Sequence, residues 1–125
     1  MSLQFSGKEL TAIIKLSASM MAADGRIDDN ETSSLALEMI RFGVNQEQLA
    51  NFIFVANNMQ AIEAISIVSN LGDEGKKYVA AFLGYLMTVD GNVDDEEMKL
   101  WRFISTMCNL PSMNIAQAIK IIKEL

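Results

Sequence analysis

One eight-residue phrase occurs twice in this chain, as DGRIDDNE at 24–31 and as DGNVDDEE at 90–97. Both copies obey D-G-x-[IV]-D-D-x-E, and they stand 66 positions apart. The same offset sets Met21 on Met87, Ala18 on Gly84 and Leu35 on Trp101, so the repeat extends beyond the phrase. A chain written this way is expected to fold as two related helix–turn–helix units joined by a linking helix. Two units are too few for a solenoid, where repeats stack only on their neighbours. The expectation is an all-α bundle of about seven helices in one domain over 1–125. Internal pseudo-twofold symmetry would place residues 10–56 on 76–122.

Strand signals are nearly absent, whereas helix starts follow one another. Ser6 and Glu9 form a capping box, with Phe5 and Leu10 as its hydrophobic staple. That first helix is expected to run to about Asp24, with Gly25 as the left-handed residue that ends it. Asp28 opens a second helix, closed by Gly43, and Asn45 with Gln48 opens a third that ends near Asn57. A fourth covers about 59–69, a fifth Asp73 to about Val89, and a sixth Asp94 to about Cys108. Pro111-Ser112 is expected to start a seventh. The run 78–89, YVAAFLGYLMTV, is apolar on all sides and suits a central helix. Ala18 and Gly84 are expected to let the first and fifth helices approach closely.

Inventory removes whole classes of chemistry. The chain has no histidine, so a serine or cysteine triad, a His-based zinc site and a Glu-x-x-His di-iron site are all excluded. A metal here would be held by oxygens, which points to calcium, magnesium or manganese. The net charge of −6 is uneven: 24–31 carries −3 and 90–97 carries −5, leaving +2 for the rest. With no basic stripe to neutralise phosphates, nucleic acid is not expected as a partner. A single cysteine, Cys108, and no signal-like apolar run after Met1 fit a cytoplasmic protein without a transmembrane segment.

The octapeptide has two readings. As a joint, Gly25 and Gly91 end helices, Asp28 and Asp94 cap the next ones, and Glu31 and Glu97 complete the boxes. That leaves Asp24 and Asp90 unexplained, since an acid at a helix C-terminus faces the negative end of the macrodipole. As a ligand set, the string matches the second half of an EF-hand loop. Asp24, Asp28 and Glu31 then occupy ligand positions, as do Asp90, Asp94 and Glu97. A complete EF-hand is excluded, because its earlier ligand positions fall on Met20, Ala22, Leu86 and Thr88. Three carboxylates per copy fall short of the roughly six to eight oxygens calcium takes. Each loop must then use waters, or the two copies must pool their acids.

A helical chain with two D-G-x-[IV]-D-x-x-E copies resembles the TerB-like domain, named for bacterial tellurite-resistance proteins, over about Leu10 to Leu125. Relatives of that family occur beside J-domains in membrane-linked co-chaperones. The resemblance implies an all-helical, non-enzymatic module with metal at Asp24, Asp28, Glu31, Asp90, Asp94 and Glu97. It implies a role in stress response or membrane-associated assembly with a protein partner. The alternative is a metal-free protein–protein module whose acidic face meets a basic partner. The nine methionines, among them Met20, Met39, Met87 and Met107, fall on helical stripes and are read as core filling, as is Trp101. Cys108 is read as a small buried hydrophobe.

Overall fold

The computed structural model describes residues 3–23, 29–89, 91 and 93–125. Seven helices follow in chain order: α1 Gly7–Met21, α2 Asp29–Arg41, α3 Gln46–Asn58, α4 Ala61–Ser69, α5 Asp73–Leu86, α6 Asp95–Met107 and α7 Ile115–Lys123. No strand occurs among the described residues. The all-α bundle expected from the sequence is the fold the chain adopts.

Local grammar sets most helix starts. Ser6 Oγ accepts the Glu9 amide at 3.1 Å, while Glu9 Oε1 accepts the Ser6 amide at 2.7 Å. Asn45 with Gln48 builds the same reciprocal pair at α3. So does Asn114 with Gln117 at α7, both bonds 2.8 Å. The seventh helix therefore starts at Ile115, later than Pro111-Ser112 suggests, because the full box at Asn114 satisfies two orphan amides and Ser112 offers no such partner. Phe5 lies against the rings of Phe42 and Tyr78, at 5.2 and 5.7 Å between centroids, and so ties the start of α1 to the α2–α3 turn and to α5.

α1 and α5 form the interior. α5 packs most extensively on α7, and α1 on α4 and α3, with α1 and α5 also in contact. α2 and α6 each rest on both α1 and α5. From Tyr78 to Gly84 every residue of α5 is buried, which is why its sequence is apolar on all sides. Each such large side chain contributes roughly 1.5–3 kcal/mol by leaving water. Met20, Met21, Met39 and Met87 are core, as the stripes predict, but Met107 is 45% exposed on the outer face of α6.

Gly84 also serves neighbours that its spacing does not name. A Cβ there would lie 2.6 Å from the Trp101 ring and 3.0 Å from Ala118 Cβ. The glycine thus makes room for α6 and α7. Trp101 fills that notch, and its indole N–H donates to the Ala80 carbonyl at 3.0 Å.

Candidate functional site

Both acidic phrases follow a central helix and open the next one. α1 and α5 end at Met21 and Leu86, about three residues before the ends the sequence suggests. Tight turns replace the last helical turn: the Ala23 amide donates to Met20 O, and the Thr88 amide to Tyr85 O. Gly91 stands at φ +84, the left-handed conformation expected of it. Of the six proposed ligands, Asp24, Asp28 and Asp90 lie outside the described residues, as does Gly25. Glu31, Asp94 and Glu97 are described.

Asp94 is the N-cap of α6, and its Oδ1 accepts the Glu96 amide at 2.7 Å. That bond goes to the second helical position. Glu97, at the third, is turned inward and only 3% exposed, and Glu31 at the third position of α2 is 2% exposed. The boxes at α1, α3 and α7 differ: Gln48 and Gln117 are exposed and Glu9 is half-exposed. A carboxylate that only completes a cap stays wet, whereas burying one costs several kcal/mol unless charge or hydrogen bonds compensate. The capping reading therefore accounts for Asp94 but not for the depth of the two glutamates. Glu31 Oε2 and Glu97 Oε1 accept no hydrogen bond, although each glutamate has an interaction partner.

The donor set is all oxygen, which suits a hard cation and no other common metal. Among the described residues no three acidic or cysteine side chains converge on one point. α2 and α6, which carry Glu31 and Glu97, pack on α1 and α5 and not extensively on each other.

A third buried acid, Glu38, escaped the sequence reading. Glu38 Oε1 accepts the Tyr78 hydroxyl at 3.0 Å and Arg41 Nε at 2.6 Å. Burial, followed by the Glu38 charge and hydrogen bond, pushes the Tyr78 pKa far above the ordinary tyrosine range. Its sequence signal was an acid inside the Leu35–Met39 apolar stripe, the place where a buried carboxylate needs a partner. Cys108 is buried as expected, and desolvation pushes its thiol up to about 11, away from reactivity.

The model of the tellurite resistance protein TerB family matches residues 10–121. The chain belongs to the TerB family. It is also similar to the crystal structure of a protein of unknown function from Porphyromonas gingivalis W83. The two are 42% identical with a TM-score of 0.87, over 99% of this chain and 100% of that one. A search of curated proteins finds no significant match. Among the described residues of this TerB-family chain, no single helix is long and apolar enough to cross a membrane.

Proposed function

We propose that this TerB-family protein is a non-enzymatic cytoplasmic module that holds a hard divalent cation at its two acidic phrases. Asp24, Asp28 and Glu31 would serve the first phrase, and Asp90, Asp94 and Glu97 the second. Calcium, magnesium and manganese share the required oxygen preference. The observation that carries the reading is the burial of Glu31 and Glu97 at equivalent positions, where cap residues elsewhere in the chain stay at the surface. A cation would offset the cost of holding those carboxylates away from water. Membership of the TerB family supports a role in a tellurite-resistance-like stress response or a membrane-associated assembly.

The test is a thermal melt of chelator-treated protein with and without millimolar calcium, magnesium or manganese. Binding to the native state alone raises stability by about 2.7 kcal/mol at a hundredfold excess over Kd. The Asp24→Asn, Asp90→Asn double variant should lose that response while its chelated stability is unchanged or slightly improved. Equal responses in both proteins would remove these aspartates from the ligand set. No response to any of the three cations would favour the second reading, a metal-free protein–protein module with an acidic face. That reading draws support from apolar side chains left in solvent, Leu37 and Phe54 each being 70% exposed.

A further inference from the structure

α6 and α7 are joined by seven residues, 108–114, whereas four, 42–45, join α2 to α3. Both connections begin alike, with Asn109 at φ +55 where Gly43 is at +81. The longer one then runs irregularly through Leu110–Met113 before Asn114 caps α7. α2 packs on α3, but α7 packs on α5, and between α6 and α7 a groove of about 790 Å³ remains open. That lies within the roughly 300–1,000 Å³ of small-molecule sites.

The groove is amphipathic. Met98, Trp101, Met113 and Ile115 give it an apolar lining, and methionines adapt to flexible chains better than branched residues do. Arg102 is the one charged side chain on its walls among the described residues. Arg41 and Lys99 are bound to Glu38 and Glu96, but Arg102 makes no ion pair or hydrogen bond among the described residues. The hydroxyls of Ser105 and Ser112 on the same walls likewise make no hydrogen bond among the described residues. A lone guanidinium beside apolar walls complements one anionic head on an apolar body.

We propose that this groove binds a free amphiphilic carboxylate of the medium-chain fatty-acid class. The chain would lie along Met98, Trp101 and Met113, and the carboxylate would pair with Arg102. A single base suits a carboxylate monomer. An anionic bilayer would be repelled by the remaining acidity of the molecule. This inference is independent of the cation reading, and its test runs in chelator.

Trp101 is the sole tryptophan of the chain and lines this groove, so its fluorescence responds to an occupant there. Titration with decanoate below its micellar concentration should give a saturable change. Arg102→Gln should weaken binding about tenfold, the loss expected for one charge-assisted pair. Ser112→Glu, which sets a like charge on the wall, should also weaken it, and decanol should bind less tightly than decanoate. Lys8→Gln, an exposed charge outside the groove, should leave the affinity unchanged. The proposal is overturned by a non-saturable response, or by an Arg102→Gln affinity equal to that of the wild type. Equal weakening by Lys8→Gln would overturn it too, showing general charge attraction only. A response to phosphatidylglycerol vesicles without one to decanoate would assign the surface to lipid instead.

Discussion

α2 and α6 are the same length, start and stop 66 positions apart, and finish the same way. Gly43 and Asn109 both adopt the left-handed conformation. The next amide donates back across the turn, Val44 to Met39 O at 3.1 Å and Leu110 to Ser105 O at 2.8 Å. Their inward faces are built differently. α2 presents Leu35 and Glu38 where α6 presents Trp101 and Ile104. The first helix is anchored by a polar network through Tyr78, the second by an aromatic plug in the Gly84 notch. Termini obey backbone rules that few residue types satisfy, whereas interiors accept any set that fills the space and pairs its polar atoms. Against that free exchange, the buried glutamate at the third position is the inward feature the two helices share.

The sharpest way to break the comparison is to empty each anchor. Trp101→Ala should cost about 4 kcal/mol and Leu35→Ala about 3 kcal/mol in urea unfolding, since the larger side chain leaves the larger cavity. Equal costs would mean that the notch collapses around the missing ring.

Gly84→Ala comes next, at about 2 kcal/mol of destabilisation from overpacking, against the stabilisation this exchange normally gives inside a helix. Trp101→Leu in the same chain should recover at least half of that loss. Additive effects in the double variant would separate the glycine from the tryptophan.

Tyr78→Phe should cost about 1 kcal/mol by removing one buried hydrogen bond. It also carries a pH signature. The folded-state pKa of Tyr78 is raised, so above about pH 10 the unfolded chain releases a proton that the native state keeps, and stability falls as pH rises. The Phe variant should lose less stability than wild type between about pH 10 and 11. Parallel curves would place the hydroxyl in a wetter setting than its burial implies.

The smallest contrast lies inside one phrase. Asp94→Ala should cost about 1 kcal/mol through the lost cap. In chelator, Asp90→Asn should change stability by no more than a few tenths of a kcal/mol, because α5 has already ended at Leu86 and the dipole fades within a turn. A large loss from Asp90→Asn without cation would give that aspartate a structural duty.

Element number, element type and the central position of α5 were legible because they depend on periodicity and caps, which a single sequence carries. Asp94 was legible as a cap for the same reason. The depth of Glu31 and Glu97 was not, since the string that places them is the same one that builds surface boxes at Ser6, Asn45 and Asn114. Only packing against α1 and α5 separates the two uses. The Glu38–Tyr78 bond spans 40 positions, and no local pattern pairs residues at that distance. The fit of Trp101 against Gly84 was not legible either, because spacing shows that a gap exists and not which neighbour fills it.

That gap also imposes an order on change. A methyl at position 84 cannot be added while the Trp101 ring lies 2.6 Å from where it would sit. The ring, in contrast, can shrink first and leave a void that is merely costly. A lineage drifting away from this pair passes through loss of tryptophan before gain of a side chain on α5, and one drifting toward it takes the reverse route. Homologues with both large residues should be rare, and those with both small residues should mark the crossings.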